Sequence, residues 1–513
     1  MAAATRQAGR LVLPLSYVVL ALIALAVAVL FLITLRPGHD WGDDFAMYIC
    51  HAKNILEGTP YADTGYIYNP FYPSLGPRTY PPVFPLLLLP SYALFGLNVT
   101  PMKVEMVLSI VLSLPVLFLA FRGRLPDPWL LAVVAVVGFN PCFFDFKETL
   151  KPELPFLFIS YLCLFLIQRA YDAQRGRPPH TRQALLIGAM LYLCYGTRSL
   201  GLVLVPALLV YDIIRLRQPS RFALVATLLF AVLAILQSVF VHSSESYLDQ
   251  LAVSRGWLGT VLHNAPLYIT SLSYYWANGH NVALGRGLLA LVSALMVVGL
   301  ALQLWREVTV YELFFMFYVA AILLWPSSQD RRFLIAVFPL FVLYVFQGLQ
   351  ALIPQRWPLM DRLPMAALVT CIAATYVGAY TVKNYGPIRD GVSAPTSVEL
   401  FRYLRESTDP NAVLIFRRPR ALALYTGRSA SVYHRTEHDS ELWEYFRQIG
   451  ATHIVVGRVF DSDRAYLQPF VQRNEGALEL VYSNTDFWVY RIVGDRIGSD
   501  PAPPVSAVPA QFP

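Results

Sequence analysis

The chain has 513 residues, 56% of them hydrophobic and only 14% charged, with a mean hydropathy of +0.50. Soluble domains carry about 25% charged residues, so this deficit, together with five Cys in the whole length, excludes a soluble globule, a disordered chain and a disulfide scaffold. The excess of 40 Lys and Arg over 33 Asp and Glu reads as the basic cytoplasmic loops of a polytopic membrane protein rather than as a nucleic-acid surface.

In chain order, apolar runs long enough to cross a hydrocarbon core fall near 11–35, 102–121, 128–140, 154–168, 184–197, 200–215, 221–241, 282–304, 309–325, 333–352 and 363–381. The run from Leu11 to Leu35 is too long for a cleaved leader and reads as a retained first span. The loop after it, HDWGDDFAMYICHAKNILEGTPYADTGYIYNPFYP, carries two adjacent carboxylates, Asp43 and Asp44, before an interfacial helix. An N-cap needs one carboxylate and leaves the second unexplained. The segment PPVFPLLLLPSYALFGL is broken by Pro85 and Pro90 and is short for a span, so it reads as interfacial.

The second loop on that side, NPCFFDFKETLKPELPF, holds Asp145, Lys147, Glu148, Lys151 and Glu153. Glu153 opens an apolar span, where an ionisable group is a functional candidate. Alternate loops are basic: Arg122 and Arg124; Arg169, Arg175, Arg177 and Arg182; Arg215, Arg217 and Arg221; Arg306; Arg356 and Arg362. With Arg6 and Arg10 cytoplasmic, this gives about eleven spans in the cytoplasmic (inner) membrane, with the N-terminus cytoplasmic and the C-terminus outside.

From 382 to 495 helical and strand patterns alternate. SVELFRYLRE, ELWEYFRQIG and RAYLQPFVQR read as helices, AVLIFRR and THIVVGRV as strands, and ELVYSNTDFWVYRIV as a hairpin around Asn484. The fold class is therefore an α-helical membrane domain over 1–381, with its first outer loop at 36–101, followed by an extracytoplasmic α/β domain. The Pro/Ala-rich 496–513 is expected to be disordered.

Cations on the outer side break the topology rule and so call for a purpose. They are Arg198, Arg331 and Arg332, with Arg78 and Lys103 near the Pro-rich segment, and a guanidinium fork suits a phosphate, although each Arg is also explained by a salt bridge. A transfer reaction uses both signs of charge: a carboxylate to deprotonate an acceptor hydroxyl, and cations to take the charge growing on a phosphate leaving group. Trp41, Tyr48 and Tyr80 are candidates to contact sugar or acceptor.

The stretches WGDDFAMYICHAKNILEGTPY, YPPVFPLLLLPSYALFG with Met102-Lys103, KPELPFLF, TRSLGLVLVPALL and DRRFLIAVFPL resemble bacterial C-type (GT-C) glycosyltransferases. The likeness is to the branch near protein O-mannosyltransferases and lipid A aminoarabinose transferases, and IFRRPRALALYTGR extends it into the C-terminal region. The resemblance implies inverting transfer of a sugar from a polyprenyl-phosphate donor to a glycan, lipid or protein acceptor at the outer membrane face. It implies that Asp43 is the base with Asp44 beside it, and that Glu153 is the acid of a Ser-Glu-Leu-Pro-like stretch, here preceded by Lys151-Pro152. Arg198 and Arg332 would face donor phosphate, with Phe333 in place of the commoner Tyr.

No phosphate-binding GxxxxGK[ST] or dinucleotide GxGxxG is present, and no cofactor is expected. His39, Asp40, Asp43 and His51 are the residues available to a divalent metal, without a fixed ligand spacing. Cys50 and Cys142 fall on the oxidising side and are candidates to pair. The rival reading is a transporter or lipid-linked sugar flippase; against it, the charges gather at one face and no paired broken helices appear in two halves.

Overall fold

Backbone amides in hydrocarbon have no water to bond, so a chain this apolar satisfies them inside helices. The computed structural model describes residues 14–174, 177–241, 256–276, 282–326, 330–353 and 362–493. Its membrane region contains α1 (Leu15–Ile33), α2 (Asp44–Glu57), α3 (Val83–Phe95), α4 (Val99–Ala120), α5 (Asp127–Gly138), α6 (Pro141–Phe146), α7 (Glu153–Asp172) and α8 (Thr181–Thr197). It continues with α9 (Leu204–Leu216), α10 (Arg221–Phe240), α11 (Trp257–Ser273), α12 (Val282–Arg306), α13 (Val310–Leu324), α14 (Phe338–Leu352) and α15 (Arg362–Thr381).

Each predicted span coincides with one of these helices. Among the described residues seven stretches are long and apolar enough to cross a membrane: α1, α4, α7, Ser199–Leu216, α10, Ala283–Arg306 and α15. The Pro-rich segment forms α3, whose 13 residues reach about 20 Å, less than the roughly 30 Å of a hydrocarbon core. Helix α11 lies in a stretch where no span is predicted. Packing is close where side chains are smallest: at the crossing of α12 and α14, a Cβ on Gly299 would stand 1.9 Å from the Tyr344 carbonyl oxygen.

The α/β region contains α16 (Pro395–Ser407), α17 (Pro419–Thr426), α18 (Asp439–Gln448) and α19 (Gln468–Arg473). Its sheet has six strands, β1 (Tyr66–Ile67), β2 (Val413–Ile415), β3 (Ser429–Ser431), β4 (His453–Gly457), β5 (Leu478–Ser483) and β6 (Phe487–Ile492), in the order β1-β3-β2-β4-β6-β5. Strands β1, β3, β2 and β4 are parallel; β6 runs antiparallel to β4 and to β5. β1 comes from the first loop, with Tyr66 opposite Ala430 and Ile67 opposite Ser431. The sheet therefore draws on the loop 36–101 as well as on the C-terminal region. The stretch 496–513, expected to be disordered, lies outside the described residues, as does the start of the first predicted span.

Strand alternation divides the domain into two cores. Ile415, Ile454 and Val456 face α18 and α19 with Leu442, Phe446 and Phe470. Leu414, Val455 and Val489 belong instead to the core continuous with the membrane helices. Trp41, expected at a sugar, joins the two regions: its ring lies 5.5–5.9 Å from those of Phe401, Phe416, Phe460 and Phe487. The chain leaving α15 returns along the first loop, with the N–H groups of Ile388 and Val392 donating to Pro37 and His39 carbonyls at 2.9 and 3.1 Å.

Candidate active site

The first loop places its two carboxylates on opposite tasks. Asp43 precedes α2 yet makes no side-chain cap there. It turns to the C-terminal region instead, where its Oδ1 accepts the Ala421 N–H at 3.1 Å and so caps the first turn of α17. Its Oδ2 is buried without a hydrogen bond, 3.9 Å from Nε of Arg420, which also lacks an acceptor. Burial pushes the Asp43 carboxyl up to about 6, against the pull of Arg420 and the Ala421 N–H.

Asp44 is saturated. Its Oδ1 accepts the Tyr80 hydroxyl at 2.9 Å and Nη1 of Arg420 at 3.1 Å, and its Oδ2 accepts Nη1 of Arg332 at 2.9 Å. Burial works to raise its proton affinity, but Arg332, Lys151 and Arg420 hold it well below the usual carboxylate range. The same Arg332 donates through Nε to Glu153 Oε1 at 2.7 Å, and Arg198 approaches that oxygen at 3.3 Å. Phe333 backs the Arg198 guanidinium at 4.8 Å from the ring centre. Glu153 is 1% exposed, and its Oε2 has no hydrogen bond.

Charges thus alternate through Asp43, Arg420, Asp44, Arg332, Glu153 and Arg198, gathered from the first loop, α17, α2, the 3-10 turn Asp330–Leu334, α7 and the end of α8. Lys151 lies near enough to Asp44 and Glu153 to feel both carboxylates, and no hydrogen bond or ion pair engages its ammonium among the described residues. Burial and the neighbouring Arg332 push that ammonium below the usual lysine range.

The supports of this cluster are backbone bonds. His51, which burial keeps neutral, donates from Nδ1 to the Tyr61 carbonyl at 2.9 Å and accepts the Tyr80 N–H on Nε2 at 3.2 Å. The Tyr61 hydroxyl holds the Tyr80 carbonyl at 2.8 Å, and the Tyr48 ring lies 4.8 Å from that of Tyr80. Nη2 of Arg420 is bound to three carbonyls, those of Leu75, Gly76 and Pro77.

Two of the cations expected at the phosphate stand apart. Lys103 is fully buried, its ammonium engaged by the carbonyls of Arg36 and Gly38 and by Glu148 at 2.7–2.9 Å, so it ties the start of the first loop to α4. Arg331 faces Asp145 at 4.0 Å, with Phe146 and Tyr274 beside it. Cys50 and Cys142 are both free thiols, buried on α2 and α6; they do not pair. Among the described residues no three His, Cys, Asp or Glu side chains form a metal-binding group.

No family model and no curated protein matches the sequence; solved structures do match the fold. The archaeal oligosaccharyltransferase AglB of Archaeoglobus fulgidus, solved with an inhibitory peptide and a dolichol-phosphate, has a TM-score of 0.61 at 12% identity over 95% of this chain and 75% of its own. ArnT of Cupriavidus metallidurans, bound to undecaprenyl phosphate, scores 0.56 at 14% identity over 94% of this chain and 99% of its own. At 12–14% identity the likeness is one of fold, shared along nearly the whole of this chain. The mycobacterial arabinofuranosyltransferase AftD shares it at a TM-score of 0.51 and 14% identity, with this chain covering 93% of itself and 40% of AftD.

Of the residues singled out in the sequence, Asp43, Asp44, Glu153, Arg198 and Arg332 meet in this one cluster. Arg420 and Lys151 were not singled out. Arg420 is distant in sequence from the carboxylates it touches, and only its place among the basic residues of IFRRPRALALYTGR marked it. The free ammonium of Lys151, immediately before Pro152-Glu153, was within reach of sequence reasoning.

Proposed function

We propose that the chain is an inverting glycosyltransferase that moves a sugar from a polyprenyl-phosphate donor to an acceptor hydroxyl at the outer face of the cytoplasmic membrane. The observation that carries this reading is the buried, unbonded Oδ2 of Asp43 beside a cluster rich in cations. The acceptor O–H gives its proton to Asp43 Oδ2 as its oxygen bonds the anomeric carbon. The bond from that carbon to the phosphate oxygen breaks on the opposite face, and its electron pair stays with the phosphate. Lys151, Arg332 and Arg198 stabilise the charge that builds there. Asp44 stays ionised and orients Arg332 and Arg420.

The bound lipids of two structures that share the fold, dolichol-phosphate in AglB and undecaprenyl phosphate in ArnT, support the donor class. The arrangement of arginines supports the orientation. Arg122, Arg124, Arg169 and Arg306 line a cavity of about 600 Å³ at the ends of α4, α7 and α12 away from Glu153, as expected of a cytoplasmic face.

The test incubates purified protein with undecaprenyl-phosphate-linked sugars and a cell-envelope extract, and follows free undecaprenyl phosphate by mass spectrometry. Release of the lipid with appearance of a glycosylated acceptor is the expected result, lost in Asp43→Asn. Movement of intact donor across proteoliposomes, without cleavage of any donor, would establish the flippase instead.

A further inference from the structure

The acceptor side of the proposed reaction has its own charge pattern. The carboxyl ends of the four parallel strands open toward Asp43, since the chain leaving β2 reaches Arg420 and Ala421 within a few residues. From β2 the chain passes through α17 to β3 on one side, and from β3 through α18 to β4 on the other. β2 is thus the strand at which the order reverses. In open parallel sheets the crevice outside such a reversal is where ligands bind.

Arginines lie within a few residues of these strand ends, one of them Arg458 after β4, which donates to the Thr485 carbonyl. Arg417 and Arg418 follow β2, and Arg435 follows β3. Among the described residues none of the three has a carboxylate within ion-pair distance. Aromatic rings hold them instead: Arg417 lies 5.3 Å from the Tyr72 ring centre, Arg418 5.9 Å from Phe460, and Arg435 5.9 Å from Tyr466. Nε of Arg418 is buried with no acceptor. Elsewhere in this domain Arg464, Arg473 and Arg491 pair with acids, and Arg405, Arg428, Arg447 and Arg458 donate to backbone carbonyls.

Asp463, a carboxylate that both Arg417 and Arg418 influence, is fully buried and already accepts the Tyr433 hydroxyl at 2.6 Å and the Gly457 N–H at 2.7 Å. Guanidinium forks without a carboxylate partner suit an incoming anion, which each can bind through two parallel N–H donors. Tyr72 registers the field: although burial works the other way, Arg417 and Arg435 hold its phenol below the usual tyrosine range.

We propose that this crevice recognises the acceptor through an oxyanion, a phosphate or carboxylate carried on a saccharide, with Arg417, Arg418 and Arg435 as its binding residues. The inference rests on the transferase reading and adds the chemical class of the acceptor. Arg418 also lies close enough to Asp43 to influence its ionisation, so an anionic group held there leaves a neighbouring hydroxyl within reach of the base.

The test titrates the full-length protein in detergent with glucose 6-phosphate, glucuronate, glucose and inorganic phosphate by calorimetry. The two anionic sugars should bind at least about tenfold more tightly than glucose, the value of one charge-assisted hydrogen bond. The double change Arg417→Gln with Arg418→Gln should abolish that preference. Arg418→Lys, which keeps the charge and loses the fork, should reduce it in part, and Arg458→Gln should leave it intact.

Equal binding of all three sugars, or a preference that survives the double change, overturns the inference. Inorganic phosphate binding as tightly as glucose 6-phosphate overturns its saccharide part. Undecaprenyl phosphate is titrated into the unmodified protein in parallel. If it binds while the anionic sugars do not, the inference alone fails; if it does not bind, the donor reading fails and takes the inference with it.

Discussion

Helix α7 runs between two clusters of buried charge that differ in a single respect. Beyond its far end, Glu312 is fully satisfied: Oε1 accepts Arg124 at 2.6 Å and the Tyr344 hydroxyl at 2.9 Å, and Oε2 accepts the Thr309 N–H at 2.9 Å and its hydroxyl, closing a capping box. At its Glu153 end, two carboxylate oxygens, Asp43 Oδ2 and Glu153 Oε2, are equally buried and accept nothing. Both clusters have low-dielectric surroundings. In the first every lone pair is used by the fold; in the second some remain for a reacting group. Burial of charge alone is a weaker pointer to a site than valence left over beside cations, a combination that Glu105 on α4, whose Oε2 is also unbonded, does not show.

Substitutions separate the two. Asp43→Asn keeps the acceptor for the Ala421 N–H and removes the base, so transfer should fall about 10²- to 10⁴-fold while the protein folds. The size of the effect is read from initial rates of polyprenyl phosphate release. Glu312→Gln leaves Arg124 buried with a weakened partner. It should lower stability by about 3–5 kcal/mol, seen as a drop in Tm, with kcat retained by the molecules that remain folded.

The pH dependence follows from Asp43, whose carboxyl is pushed up to about 6 from 3.8. As base it must be ionised, so the rate should halve near pH 6 and drop about tenfold per unit below that. Asp44, held far lower, contributes no such limb. For stability the sign is opposite: the folded state binds the proton more tightly than the unfolded chain, so Tm should rise as pH falls from about 6 to 4. Asp43→Asn should remove both trends together. An acid limb that persists in the variant would assign the base to another group.

Smaller effects sharpen the picture. Arg332→Lys cannot span Asp44 and Glu153 at once and should weaken turnover by about 10- to 100-fold, the value of one or two charge-assisted bonds. Tyr80→Phe removes one hydroxyl from the saturated Asp44 and should cost about 1 kcal/mol, within tenfold in rate.

What the sequence made legible follows from what is local. Apolar runs and a count of arginines sufficed for the membrane helices, because each run carries its own reason to be helical. Asp43, Asp44 and Glu153 were legible because a carboxylate beside a span is costly and needs a purpose. Lys103, singled out on the same logic, is engaged by the Arg36 and Gly38 carbonyls and by Glu148. Trp41, expected at a sugar, fills the seam between the two regions. Contacts across long sequence separations, Arg420 with Asp44 and β1 with β3, leave no periodic trace. The two residues of β1 are too few to show alternation.

That short strand has a consequence for how the molecule is made. Tyr66 emerges from the ribosome about 360 residues before Ala430, its partner in the sheet, an interval of roughly 20 to 70 s at ordinary rates of synthesis. Throughout that time the first loop carries a strand edge with no neighbour and an Asp43 whose helix end does not yet exist. The last segment to be synthesised is the one that closes both. A ribosome that stops before residue 419 leaves the described membrane helices around an unfinished charge cluster.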